Sequence, residues 1–539
     1  MIIIIKLKLK MFQIWAVINI LIIPTITFAD VINYTAAIIE YHADSLNYSW
    51  SVDERVMWRA KDHIRILDSI TEELEIILFP EKSLYYQENV SLSSTVIPKI
   101  SEKICNSSET SVKEYLKLFS CAAIRKNTSI AINVIEQDNC TLNGTCESPI
   151  YYNTVVIFDN NGYLSGRYRK WNLFGEYQLS KPKEMDITTI KTKHNVTFGI
   201  FNCFDIIFNQ PSLNLTRDLK VKNILFPNHW ISELPYLTAL QAQQMYAHEN
   251  NITLLVSGKN SPMSGGSGSG IYIGEKGPVE TILIGGKGGT KLLVKTVPNL
   301  ETEDNFDLNI TEDEDIDALA IKLDDFFLLR DLSMDDHTSI PLKENQSNIV
   351  EQVCNGDNVK ICCNFNITMV VNETAKLMNY YRYHMAAFNG IRSFSGIRNA
   401  SIEACGLVAC LNESLSSCAL RFPNYTEVSW PITFKSIVVE ANFTLDQSRI
   451  QYPNSLLSSL KPILPQYTSW EKHESKESII RRHSLNKNES RLLSFGIFGR
   501  DFNRDDLQDN HSSRSEMLSG SLLVILCLYL VSTLSINYR

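Results

Sequence analysis

The sequence predicts an α/β domain followed by a smaller, disulfide-stapled β-rich domain, and three observations carry that prediction. Strand-like and helix-like stretches alternate from residue 30 to about residue 300. Several of the strand-like runs are short, apolar and halted by proline, the pattern of a largely internal sheet. From about 330 to 500 the chain turns to cysteines, Asn-x-Ser/Thr sequons and β-favouring runs such as Ser436 to Phe443. The 539 residues, 44% hydrophobic and 21% charged, suffice for two domains with cores of their own.

Thr35 to Tyr41 reads as a first strand. Ser51 and Glu54 form a capping-box pattern ahead of Val56, Met57, Ala60, Ile64, Leu67 and Ile70, which share one helical face. Glu75 to Phe79 reads as a buried strand stopped by Pro80, with Glu81 directly after it. A helix over Val112 to Lys126 leads to a strand over Ser129 to Ile135 and a loop bracketed by Cys140 and Cys146. Thr154 to Phe158 and Tyr163 to Arg169 flank the turn residues Asp159-Asn160-Asn161-Gly162, a hairpin that ends at Lys170. Val196 to Phe201 is the next strand, giving way at Cys203, and Lys222 to Phe226 repeats the strand-then-proline layout at Pro227. A helix over Leu234 to Glu249 and a strand over Ile252 to Val256 follow.

Ser264 to Gly270 is a glycine-rich loop, which lacks the Gly-Lys-Ser/Thr ending and following helix of a phosphate cradle. Glu301 to Asp317 is acidic and reads as a solvated linker without calcium-loop spacing. A net charge of -9, with no basic stripe beyond Arg481-Arg482-His483, disfavours nucleic acid as a partner.

Both ends read as targeting segments. Lys6, Lys8 and Lys10 precede the apolar run Met11 to Ile26 and then Thr27-Phe28-Ala29, a secretory signal over residues 1–29. Residues 501–539 carry a polar stretch and then the apolar run Leu522 to Ile536, the layout of a removable glycosylphosphatidylinositol signal, with a retained single-span helix as the rival reading. Asn510 is the expected attachment residue, with Ser512 and Ser513 as alternatives, which places the protein on the outer face of the cell membrane or in a released form. Sequons at Asn33, Asn47, Asn89, Asn106, Asn127, Asn143, Asn195, Asn214, Asn366, Asn399, Asn424, Asn442 and Asn488 fit that route.

In an oxidising compartment the cysteine count becomes informative. Of 12 cysteines, Cys527 lies in the tail, which leaves the odd number 11. Cys105 with Cys121 and Cys140 with Cys146 form one even group, and Cys354, Cys362, Cys363, Cys405, Cys410 and Cys418 another. Cys203 is left over. The adjacent pair Cys362-Cys363 lacks zinc-site spacing, so no metal is expected.

Glu81, Lys170 and Cys203 each follow or end a predicted strand, and they converge if those strands are neighbours. A thiol with a free pKa of roughly 8.5 is a poor nucleophile at neutral pH. A carboxylate that takes its proton and an ammonium that stabilises the thiolate and an oxyanion complete a set sufficient for amide hydrolysis through a thioester. Singly, a buried cysteine or a charged strand end is ordinary. The blocks Leu78-Phe79-Pro80-Glu81, Arg167 to Phe174 (RYRKWNLF) and Phe198 to Asp205 (FGIFNCFD) closely resemble the three catalytic blocks of the nitrilase superfamily, and its vanin and biotinidase branch in particular. The resemblance extends through Phe226 to Trp230 with Leu234-Pro235, Gly268 to Tyr272, and Val353-Cys354 with Ile361-Cys362-Cys363.

The resemblance implies an αββα-sandwich nitrilase domain over residues 30–330 and a β-rich base domain over 331–500. It implies Glu81 as general base and acid, Lys170 as oxyanion stabiliser and Cys203 as nucleophile, with backbone N–H groups near Phe204 on the oxyanion and Glu176 orienting Lys170. Asn202, His229 and Trp230 stand beside this set, His229 and Trp230 lining the pocket or packing under it. No cofactor is implied. The implied substrate is a small-molecule amide, pantetheine giving pantothenate and cysteamine, with biotin amides as the rival and a catalytically silent, lipid-anchored adhesion or signalling glycoprotein as the reading of another class. Monomer and homodimer both fit. Three positions depart from the family pattern: Lys82 where an acid is common, Asn202 where Thr is common, and Asn228-His229 where small residues precede Trp230.

Overall fold

The computed structural model describes residues 32–507 apart from 44–48, 86–88, 140–147, 303–314, 357–359 and 378. The signal segment, Asn510 and the tail, Asn47, Asn143, Cys140, Cys146 and most of the acidic stretch therefore lie outside the described residues. No helix among the described residues is long and apolar enough to cross a membrane.

Alternation of strands and helices builds the first domain. Its strands are β1 (Asn33–His42), β2 (Ile76–Leu78), β3 (Ser129–Asp138), β4 (Ile150–Phe158), β5 (Leu164–Arg169), β6 (Thr188–Lys191), β7 (Thr197–Ile200), β8 (Asn223–Asn228), β9 (Glu233–Leu234), β10 (Thr253–Asn260), β11 (Ser269–Ile273), β12 (Gly277–Ile282) and β13 (Lys291–Pro298). Its main helices are α1 (Val52–Asp68), α2 (Glu114–Lys126) and α3 (Ala239–Asn250). The capping box at α1 forms as expected, Ser51 Oγ accepting from the Glu54 N–H while Glu54 accepts from the Ser51 N–H.

The main sheet runs β5-β4-β3-β2-β1-β10-β8-β7-β6. The run from β3 through β2, β1, β10 and β8 to β7 is parallel throughout. Strand pleating divides β1 and β2 between two cores. Ala37, Ile39, Ile77 and Phe79 face α1 and α2, whereas Ala36, Ile38, Ile76 and Leu78 face inward, in the same core as Phe198, Ile200, Leu225 and Leu254. The sheet curls until its ends meet: Thr188 Oγ1 donates to the Arg167 carbonyl at 2.7 Å, and a Cβ at Gly166 would lie 2.8 Å from Ile190. The result is a near-barrel version of the αββα sandwich, with α3 wedged between the sheet and the second domain through Gln241 to Asn454 at 2.7 Å.

The second domain begins with β14 (Leu329–Arg330) and β15 (Thr338–Pro341) and continues through β16 (Asn348–Asn355), β17 (Ile361–Val371), β18 (Asn379–Tyr380), β19 (Arg382–Phe394), β20 (Arg398–Cys410), β21 (Val428–Ser429), β22 (Ile432–Thr444), β23 (Arg449–Leu457), β24 (Thr468–Glu474), β25 (Ser478–Leu485) and β26 (Leu492–Asp501). Two antiparallel five-stranded sheets, β15-β19-β20-β26-β23 and β16-β17-β22-β25-β24, form a sandwich. Cys363–Cys405 joins the two sheets, and Cys354–Cys362 and Cys410–Cys418 close local turns. In the first domain Cys105 pairs with Cys121.

Three local differences from the sequence reading have clear causes. Helix α3 starts at Ala239 rather than Leu234, because Leu234 is paired in parallel with Arg330 and Thr238 supplies the cap with Gln241. The glycine-rich loop wraps a buried carboxylate: Ser267 Oγ donates to Glu40 at 2.5 Å, with Ser269 Oγ and the Gly268 N–H also on Glu40. Residues 501–507 are tied to the second domain, Arg500 pairing with Asp505 at 2.6 Å and Arg398 with Asp506 at 3.0 Å. All the described sequons are exposed or half-buried.

Candidate active site

The C-terminal ends of β2, β7, β8 and β10 open on one edge of the parallel sheet, where such sheets present chemistry. Glu81 comes off β2, Cys203 off β7, His229 off β8 and Lys259 is the penultimate residue of β10, while the β4–β5 hairpin delivers Lys170 to the same edge. Each predicted strand end therefore arrives at one place.

Lys170 is the hub. Its Nζ lies 2.8 Å from Glu81 Oε1 and 2.8 Å from Glu176 Oε1, with all three side chains buried. Burial alone would push the ammonium down, but Glu176, Glu81 and Cys203 hold it well above the ordinary lysine value. Glu176 feels the opposite balance: burial raises it, and Lys170, Lys82 and the Phe174 N–H bring it down to about 2. Both carboxylate and ammonium are thus ionised at neutral pH.

Glu81 is surrounded by donors. Oε1 accepts from Lys170, from Asn153 Nδ2 at 2.8 Å and from Asn202 Nδ2 at 3.3 Å, and Oε2 accepts from the His229 N–H at 3.0 Å. Cys203, the one free cysteine among the described residues, opens a short 3₁₀ turn (Cys203–Ile207) with its backbone at φ 51°. That left-handed conformation costs a non-glycine residue energy and is common at functional sites. Burial, then the Glu81 carboxylate, push the Cys203 thiol up, against Lys170 and the His229 amide. The resting group is therefore a thiol, and the carboxylates that bear on it are Glu81 and, to a smaller extent, Glu176.

The turn itself is held by a buried carboxylate. Asp205 Oδ2 accepts from Tyr168 Oη at 2.5 Å and from the Asn202 N–H at 3.0 Å, and Oδ1 accepts from Asn172 N and Nδ2, both at 2.8 Å. Burial pushes Asp205 up to about 6, with Tyr168 and Lys170 opposing it.

The remaining sequence candidates separate clearly. Glu176 contacts Lys170 directly, as expected for the residue that orients it. Asn202 contacts Glu81 and, at 3.0 Å, Asn153 Oδ1. Phe204 packs its ring against Phe174, Phe208 and Phe394, the last from the second domain. His229 reaches the site through its backbone; its ring bonds Ser261 Oγ at 3.1 Å, and burial with the nearby Lys259, Lys82 and Lys170 charges holds the imidazole well below its usual pKa. Trp230 is a packing residue, 7% exposed, with Nε1 donating to the Leu237 carbonyl.

Sequence reasoning missed Asn153 and Asn133. Asn153 Nδ2 bridges Glu81 and Glu176, at 2.8 and 3.0 Å, and its Oδ1 accepts from Asn133 Nδ2 at 2.6 Å. Each interrupts an apolar strand run, and a buried amide requires a partner, which is the signal that could have found them. Arg398 was missed as well: from the second domain its guanidinium donates to Asn172 Oδ1 and stacks 4.0 Å over Phe208.

Among the described residues, the group that resembles a metal cluster, His384 with Cys410 and Cys418, has its two sulfurs joined in a disulfide. A polar cleft of about 330 Å³ between Arg217, Lys222, Asp446 and Lys472 shares no residue with the carboxylate–lysine–cysteine cluster.

Comparison with known proteins gives two family matches: residues 35–256 match the carbon-nitrogen hydrolase model, and residues 326–505 the vanin C-terminal domain. Vanin-like protein 3 of Drosophila melanogaster is 29% identical over 507 residues, 92% of each chain. Pantetheinase of Homo sapiens is 28% identical over 372 residues, covering 66% of this chain and 68% of that one. Biotinidase of Rattus norvegicus is 26% identical over 422 residues, 73% and 75% respectively. Among solved structures, Saccharomyces cerevisiae Nit3, a member of branch 10 of the nitrilase superfamily, is 18% identical, with a TM-score of 0.40 over 50% of this chain and 92% of that one.

Proposed function

Because this chain belongs to the vanin and biotinidase family of the nitrilase superfamily, hydrolases of carbon-nitrogen bonds other than peptide bonds, we propose that it opens a linear amide, pantetheine, through a thioester on Cys203. The observation that carries this reading is the buried Lys170 ammonium, 2.8 Å from both Glu81 and Glu176, on the sheet edge where Cys203 is held at φ 51°.

In this reading the Cys203 proton passes to Glu81 as the sulfur attacks the amide carbonyl carbon. The oxyanion is held by the Lys170 ammonium and by backbone N–H groups near Phe204. As the C–N bond breaks, Glu81 returns the proton to the leaving nitrogen, and cysteamine departs. Glu81 then takes a proton from water as the hydroxide adds to the thioester, and the sulfur leaves with that proton as pantothenate is released. The matches to proteins named pantetheinase support pantetheine.

The deciding experiment compares pantetheine with biotinyl-lysine on the purified protein and on Cys203→Ala. Faster turnover of pantetheine, lost in the variant, is expected. Faster turnover of biotinyl-lysine would move the assignment to biotin amides, and turnover surviving in Cys203→Ala would overturn the thioester mechanism. Attachment to the outer face of the cell at Asn510 belongs to the same proposal, supported by the polar stretch followed by the apolar run Leu522 to Ile536. A phosphatidylinositol-specific phospholipase should release the protein from cells, and retention after that treatment refutes the anchor.

A further inference from the structure

Lys82 directly follows Glu81 with its backbone at φ 55°, pinned there by its N–H donating to Asn133 Oδ1 at 2.9 Å. This turn carries its Nζ to 3.4 Å from Glu176 Oε1, the same oxygen that Lys170 contacts at 2.8 Å. Lys170 is shared between two buried carboxylates. One ammonium in contact with two carboxylates leaves negative charge at the place where a thiolate and then an oxyanion must form, and like charge there raises the cost of both. Lys82 approaches the pair from the solvent side, its side chain 24% exposed against 3% for Glu176.

We propose that Lys82 is a positioning residue: by balancing Glu176 it leaves the Lys170 ammonium to Glu81 and to the oxyanion on the substrate. This rests on the assignment of Glu81, Lys170 and Cys203 given above. The other groups on or beside the two carboxylates are the neutral amides Asn153 and Asn202, the His229 and Phe174 N–H groups and the Cys203 thiol; one step further out, the Tyr85 hydroxyl bonds Asn133 at 3.3 Å and the Lys259 ammonium bonds the Tyr85 carbonyl at 3.5 Å. Among the described residues, Lys82 and Lys170 are the cations in ion-pair contact with Glu176.

The test measures kcat, KM and the pH profile of kcat/KM for Lys82→Met, Lys82→Asn and Lys82→Arg in the full chain. Asparagine tolerates the left-handed backbone, so it separates loss of charge from loss of the turn. Both neutral variants are expected to lower kcat about tenfold with KM changed less than about twofold. Their acid limb should move up by about one pH unit, because without the second ammonium the carboxylates bind protons more tightly and the base form is lost sooner on acidification. Lys82→Arg should restore both. Neutral variants with the wild-type limb and kcat, or an arginine variant that fails as methionine does, overturn the proposal. With Cys203→Ala inactive in parallel, such a result sinks Lys82 alone, whereas turnover in Cys203→Ala sinks the underlying assignment instead.

Discussion

Replacing Lys170 by methionine removes the ammonium that lies 2.8 Å from each of two carboxylates whose side chains are 1% and 3% exposed. Methionine keeps most of the volume, so packing is nearly conserved and the charge is the main thing lost. Breaking a buried ion pair by deleting one partner costs about 3–5 kcal/mol, because the other partner stays buried and uncompensated. Lys82, at 3.4 Å and partly solvated, offsets only part of this. The sign of the pH dependence is the sharper test. In the wild type Glu176 is held at about 2 against an ordinary 4.5, so its contribution is present above about pH 4.5 and lost as pH falls toward 2. In Lys170→Met the carboxylate pair takes up a proton on folding, so stability is present in acid and lost as pH rises. Urea unfolding of both proteins between pH 4 and pH 7 should show a gap of about 3–5 kcal/mol at pH 7 that shrinks steadily toward pH 4. A gap that stays constant over this range, or one below about 1 kcal/mol at pH 7, would refute the reasoning.

Tyr168→Phe deletes the donor 2.5 Å from the buried Asp205 and should cost about 1.5–3 kcal/mol, the worth of a hydrogen bond to a charged group. Since Asp205 is already raised to about 6, its contribution is present below about pH 4 and lost as pH rises through 6, so chemical unfolding should find the Tyr168→Phe deficit larger at pH 7 than at pH 5. Arg398→Ala removes the second domain's grip on Asn172 and Phe208, and steady-state kinetics should show kcat down by about fivefold, roughly the worth of one hydrogen bond. Arg398→Lys should not restore it, because a point charge cannot hold Asp506 in two bonds at 3.0 and 3.1 Å while donating to Asn172.

Much of the first domain was legible because its signals are local. A capping box and a helical apolar face marked α1, and a run of apolar residues ended by proline marked β2 and the carboxylate after it. Cys203 was legible by a different route, since an odd number of cysteines leaves one thiol over if the rest pair, and among the described residues the other cysteines are paired. The start of α3 was misplaced because a long-range pairing, Leu234 with Arg330, competes with local helix propensity there. Asn153 and Asn133 were passed over because a polar residue inside an apolar run shows only that a partner is needed, not which one.

By itself the sequence determined the strand-end positions of Glu81, Lys170 and Cys203 and the α/β character of the domain that carries them, because periodicity, caps and proline stops act within a few residues of chain. Tertiary structure alone decided how the charges are shared: that Lys170 divides itself between Glu81 and Glu176, that Asn153 bridges the two carboxylates, that Lys82 turns back onto Glu176, and that Phe394 and Arg398 of the second domain brace the turn around Cys203. Those contacts join residues up to 226 positions apart. Which buried charge meets which depends on strand order and on the way the sheet curls, and neither is written in any local stretch of the chain.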